Sequence, residues 1–80
     1  MRSELDTSNK VVGAKQTKRV LSDGRAKKIF LAADADPRVT DPLARLAQEA
    51  GVAVEEVPSM KELGAACGIA VGSAVAALVE

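Results

Sequence analysis

The sequence predicts an α/β protein: a three-layer α/β/α sandwich around a small mixed sheet of about four strands. Three observations carry this. Short apolar runs alternate with stretches of helical periodicity, in the order βαβαβαβ. Gly13, Gly24, Gly51 and Gly68 punctuate that alternation where helices start or stop. One run, Ile29 to Ala33, is apolar at every position, the pattern of a central strand covered on both faces.

Each element has its own warrant. Met1 to Asn9 is polar and reads as a fraying terminus. Val11 and Val12 form a brief strand that Gly13 ends at a helix start. From about Ala14 to Asp23, Thr17, Val20 and Leu21 fall at i, i+3 and i+4, which gives a buried stripe and leaves Lys15, Lys18 and Arg19 towards solvent. Gly24 stops this helix. After the strand at Ile29 to Ala33, Asp34-Ala35-Asp36-Pro37 turns the chain out of the sheet. A second helix is expected to begin near Thr40 or Asp41, both good caps, with Pro42 in its first turn. Leu43, Leu46, Ala47 and Ala50 repeat at helical spacing up to Gly51, and Val52 to Val57 reads as a strand. Ser59-Met60-Lys61-Glu62 matches a capping box, in which Ser and Glu side chains satisfy the orphan N–H groups of a helix start. Leu63, Ala66 and Cys67 face inward, Gly68 stops this third helix, and Ala74 to Val79 is the last strand.

Eighty residues fit one small domain, taken as residues 10–80 behind a flexible segment 1–9. A single cysteine excludes an internal disulfide, and the absence of histidine puts a Cys/His zinc cluster out of reach. The apolar stretch from Ile69 to Val79 is too short to span a bilayer, and the N-terminus lacks the apolar core of a signal peptide. A soluble, cytoplasmic protein is the expectation. Without heptads or a long exposed apolar stripe, so is a monomer.

Net charge is zero but unevenly placed. Residues 1–28 hold eight Lys and Arg against three acids, and residues 29–80 hold three against eight. A basic end of this kind suits phosphate, although surface cations also serve simply to solvate helix faces.

Catalytic chemistry finds little support. Cys67 has no histidine to generate a thiolate and reads as a small buried hydrophobe. Gly64 and Gly68 are a helix packing site and a cap; no Lys-Ser/Thr follows to make a phosphate loop. Asp34 and Asp36 alone are too few oxygens for a metal site. No enzyme activity, cofactor or metal is expected. The lone aromatic, Phe30, lies in the predicted central strand, which argues against a base-stacking platform for single strands and for structured RNA as the better ligand.

Three motifs, Gly13-Ala14-Lys15-Gln16-Thr17, Ala32-Ala33-Asp34-Ala35-Asp36-Pro37 and Leu63-Gly64-Ala65-Ala66-Cys67-Gly68-Ile69, stand in the order and spacing of the L-seven-Ae ribosomal protein family. The resemblance runs from Val11 to Val79 and is strongest to the bacterial YbxF-type members, which bind kink-turn RNA. It implies that Lys15 and Gln16 reach guanine edges of sheared G·A pairs in the kink. Archaeal and eukaryotic relatives usually place Asn and Glu there; Lys and Gln keep hydrogen-bonding capacity towards guanine in a different form. Arg19 falls at a basic family position and is expected to hold a phosphate. Lys18 is a secondary phosphate contact or a solvated side chain. N–H groups of Gly13 and Ala14 would add to this surface at the positive end of the helix dipole.

Asp36 matches an acidic family position near the extruded base, where it would accept from a base N–H; it is equally placed to form the turn ahead of Pro37. Ile69, Ala70 and Val71 match the family loop that packs against the extruded nucleotide, here wholly apolar, though Ile69 and Val71 also have strand-like spacing that would put them in the core. The resemblance implies a non-catalytic binder of kink-turns in ribosomal RNA, a riboswitch or a similar transcript. The alternative is a protein-interaction module of the same fold, using acidic side chains of the second and third helices.

Overall fold

The computed structural model describes residues 9–79. The predicted flexible segment therefore falls, through residue 8, outside the described residues. Seven elements follow in order: β1 (Lys10–Val12), α1 (Ala14–Ser22), β2 (Ala26–Ala32), α2 (Pro37–Glu49), β3 (Ala53–Val57), α3 (Met60–Ala66) and β4 (Val75–Val79). The four strands form one mixed sheet in the order β1-β4-β2-β3. β4 runs antiparallel to both β1 and β2, and β3 runs parallel to β2. The Val79 N–H donates to the Asn9 carbonyl at 3.0 Å, so pairing extends to Asn9.

The core is split by the sheet. Because side chains alternate along a strand, Ile29 in β2 and Val75 and Ala77 in β4 face one way and pack with Val20 and Leu21 of α1 and Leu43 and Ala47 of α2. Phe30, Ala32 and Ala76 face the other way, against Ala35, Leu63 of α3 and Cys67 at the C-terminal cap of that helix. This is the predicted three-layer sandwich, two helices on one face and one on the other. The stripe Thr17, Val20 and Leu21 is buried. Burial also raises the pKa of the Cys67 thiol, with a small opposing effect from Lys10.

Two boundaries differ from the sequence reading by more than one residue. α2 starts at Pro37, one turn before Thr40, because the Asp36 carboxylate accepts the Arg38 backbone N–H at 2.9 Å and Pro37 takes the first helical position. Pro42 accordingly lies inside the helix. β2 starts at Ala26, ahead of the apolar run, since Ala26 pairs with Val79 and Lys28 with Leu78 across a register shift. Lys28 is accommodated there by an ion pair to Glu55 at 2.9 Å and by its ammonium lying 5.2 Å from the Phe30 ring centre.

The strand directions determine where loops meet. The C-terminal ends of β1, β2 and β3 and the N-terminal start of β4 lie at one end of the sheet. Each of the three helices begins there, directly after a strand.

Candidate nucleic-acid interface

At that end, the three helix starts are capped differently. Asp36 caps α2 with its own carboxylate. For α3, Ser59 Oγ accepts the Glu62 N–H at 3.1 Å, one half of the predicted capping box; the Glu62 carboxylate accepts the Ser59 hydroxyl at 3.4 Å in place of the Ser59 N–H, and Asp34 accepts the Met60 N–H at 2.7 Å. α1 has Gly13 at its cap and no side-chain bond at all. Its first helical bond is Thr17 N–H to the Gly13 carbonyl, 3.0 Å, so the N–H groups of Ala14, Lys15 and Gln16 have no acceptor within the helix. They point outward at the positive end of the helix dipole, beside exposed Lys15 and Gln16.

The Gly13 N–H itself is not on offer, contrary to the sequence expectation. It donates to the Val75 carbonyl at 2.9 Å. The residue has φ 103 and ψ 154, a conformation that brings the chain out of β1 and into α1 within one residue.

Four of the residues singled out in sequence share one surface. Lys15, Gln16, Lys18 and Arg19, with Ser22, line a shallow depression of about 300 Å³ along α1. Around the helix, a wider groove of about 590 Å³ runs between α1 and α2. Ala14, Lys15 and Lys18 form one wall and Arg38, Val39, Pro42, Arg45 and Leu46 belong to the other. Arg38 and Arg45 were not anticipated as neighbours of the α1 cations; their proximity depends on how α1 packs beside α2 and has no local signal in the sequence.

Ile69, Ala70 and Val71 are outside the core. β4 starts only at Val75, and the three residues stand in the preceding loop, Ile69 37 % and Val71 71 % exposed. That settles the strand alternative against them and leaves an apolar surface in solvent. The loop is joined to α1 through one atom. The Val75 carbonyl that accepts from Gly13 also accepts the buried Ser73 hydroxyl at 2.7 Å. Ser73 in turn donates its N–H to the Met60 carbonyl at 3.0 Å. The Val75 carbonyl thus connects the start of α1, the end of the loop and, through Ser73, the start of α3. Ser73 was not singled out in the sequence; a hydroxyl in an otherwise apolar stretch is the signal that could have found it.

Asp36 has a structural role. Besides capping α2, its carboxylate receives Arg38 Nε at 3.1 and 3.3 Å and Nη2 at 2.9 Å. The Arg38 side chain first, and then its backbone N–H, hold the Asp36 pKa below the ordinary aspartate value. Among the described residues no cluster of three or more His, Cys, Asp or Glu is placed to hold a metal ion, and no helix is long and apolar enough to cross a membrane.

The arrangement offers hydrogen-bond donors and cations on a helix tip, tied to an apolar loop. Comparison with known proteins agrees with the fold and adds a ligand class. The model of the ribosomal protein L7Ae/L30e/S12e/Gadd45 family matches residues 1–80. An RNA-binding protein of Geobacillus sp. strain WCH70 is 47 % identical over 76 residues, covering 95 % of this chain and 93 % of that one. The RNA-binding protein YbxF of Geobacillus stearothermophilus is 43 % identical over 76 residues, with the same coverage of 95 % and 93 %. Among solved structures, the Giardia lamblia 15.5kD RNA binding protein superimposes with a TM-score of 0.87 at 27 % identity. That match covers 95 % of this chain, which spans 64 % of the longer Giardia chain.

Proposed function

The chain belongs to the ribosomal protein L7Ae/L30e/S12e/Gadd45 family, and on that premise we propose that it is a non-catalytic RNA-binding protein that recognises kink-turns. Family membership and the names of its relatives support RNA binding. The observation that carries the finer reading is the uncapped, cationic start of α1 joined through Val75 to the exposed loop at 69–71.

In this reading Lys15 and Gln16 read guanine edges in the sheared G·A pairs. Lys15 donates to O6 or N7, and the Gln16 amide both donates and accepts. Arg19 holds a phosphate with Lys18 beside it, and the free N–H groups of Ala14 to Gln16 face the same anionic backbone. The apolar side chains of Ile69 and Val71, with Ala70 between them, wall the extruded base, which needs a desolvated surface and no specific partner atom. Asp36 can accept from a base N–H only by sharing its carboxylate with Arg38, which ranks it below the α1 residues.

The protein acts as a monomer in the cytoplasm. Its target is a motif and not a single transcript, since ribosomal RNA, a riboswitch or another kinked RNA would present the same backbone geometry to these side chains. Ribosome association is one form of that proposal.

A gel-shift titration tests it, using a kink-turn duplex and the same duplex with its G·A pairs replaced by Watson–Crick pairs. A preference of about tenfold or more for the kink-turn is expected, the size of one good base contact. Equal affinity for the two would refute kink-turn recognition.

A further inference from the structure

The exposure of Ile69 and Val71 has a cause one layer below the surface. α3 ends in a Schellman motif: the Gly68 N–H donates to the Ala65 carbonyl at 3.0 Å and the Ile69 N–H to the Gly64 carbonyl at 3.1 Å, with Gly68 at φ 79. In such an end the residue at the Ile69 position frequently packs its side chain against the residue at the Gly64 position or the one before it, Leu63. Gly64 has no side chain to offer. The space that one would fill is taken by the returning loop: a Cβ built on Gly64 would overlap the Val71 carbonyl oxygen and lie 3.0 Å from Gly72 Cα. Gly72 continues the contact, since its own Cβ would come within 3.2 Å of the Met60 backbone.

A glycine inside a helix is less favourable than alanine by about 0.5–1 kcal/mol, so local propensity does not explain it. The close approach of the loop backbone does.

We propose that Gly64 is a positioning residue for RNA recognition: it lets the 69–72 loop lie directly on the α3 backbone, and so sets where Ile69 and Val71 stand relative to α1. The inference rests on the kink-turn reading and deepens it, because Gly64 itself is buried and would touch no RNA. With any side chain at Gly64 the loop has to move outward by about 1 Å, given ordinary carbon contact distances. The α1 tip is anchored to β4, by the Gly13 N–H on the Val75 carbonyl, and among the described residues makes no hydrogen bond to residues 69–72 themselves.

The test compares three RNAs: an intact kink-turn, the same RNA with an abasic site in place of the extruded base, and the duplex with Watson–Crick pairs for the G·A pairs. The natural chain is expected to prefer the intact kink-turn over the abasic RNA by about tenfold, the scale of packing one base against protein. Gly64→Ala is expected to bring that ratio to within about twofold while keeping the preference for G·A pairs, which the α1 tip carries. A purely structural role would lower affinity for all three RNAs alike; an unchanged abasic ratio in Gly64→Ala overturns the inference. Gly72→Ala, which displaces the same loop less, serves if Gly64→Ala does not fold, and is expected to reduce the ratio in part; an unchanged ratio there overturns it too. If the natural chain shows no preference for G·A pairs, the kink-turn reading fails and this inference falls with it.

Discussion

Gly13→Ala isolates the conformational cost of building the α1 tip. Gly13 sits at φ 103 and ψ 154, a region essentially restricted to glycine, where another residue costs about 1–3 kcal/mol. A Cβ there would meet no atom within 4 Å, so steric collision does not contribute. The backbone can relax only by releasing the 2.9 Å bond from the Gly13 N–H to the Val75 carbonyl, itself worth about 1 kcal/mol. Either route gives a loss of about 1–3 kcal/mol. For a domain of 80 residues each kcal/mol lowers the melting midpoint by about 4–8 °C, so a fall of about 4–24 °C is expected. Urea and thermal unfolding followed by circular dichroism measure both quantities. Gly24→Asn is the control, because Gly24 at φ 70 occupies a region that asparagine tolerates, and it is expected to stay within about 0.5 kcal/mol. If Gly13→Ala were as stable as the control, the argument that glycine is needed to start α1 would be wrong.

Other outcomes follow from the same structure. Leu63→Ala removes a fully buried side chain between α3 and the sheet and is expected to destabilise by about 2–5 kcal/mol in urea unfolding; a loss below 1 kcal/mol would mean the site collapses around the gap. Thr17 is completely buried and its hydroxyl has no hydrogen-bond partner among the described residues, so Thr17→Val is expected to stabilise by about 1 kcal/mol, and a destabilised variant would show that the hydroxyl is satisfied. The lowered pKa of Asp36 means that its contribution to stability is present above the unfolded-state pKa and disappears as pH falls through the folded value. Asp36→Asn retains a capping side chain and should flatten this acid dependence, as pH-resolved unfolding would reveal. Gln16→Ala is expected to cut discrimination between kink-turn and duplex by about 1–3 kcal/mol, and Arg19→Ala to reduce the salt slope of binding by about one phosphate contact, both measured by titration at several salt concentrations.

Much of the fold was legible because its signals are local. The Gly13 start, the Ser59 cap and the Gly68 stop each declare themselves within a few residues, and the structure uses all three. The start of α2 was misread because the chain offers two Asp-Pro pairs with a threonine between them. Asp36 prevails by capping Arg38. The extension of β2 back to Ala26 was hidden because Lys27 and Lys28 do not look like strand interior, and Lys28 finds Glu55 only once β3 lies alongside.

The site divides in the same way. The cations of α1 follow from helical spacing, whereas the link between α1 and the 69–71 loop depends on β4 running antiparallel beside β1 and β2. That pairing puts the Val75 carbonyl within reach of both Gly13 and Ser73, residues sixty positions apart. The mid-helix Gly64 was visible as a packing site, but what packs on it became clear only from the path of the loop.

The central claim is that one end of this domain holds RNA in a kinked shape. Fluorescence resonance energy transfer across a kink-turn labelled at both ends measures that shape directly. Adding the protein is expected to raise transfer as the helical arms close together, since a ligand that binds the bent state draws the population towards it. Lys15→Ala combined with Gln16→Ala should weaken the effect. RNA that binds the protein without any change in transfer, at saturation and with its arms still apart, would contradict the account.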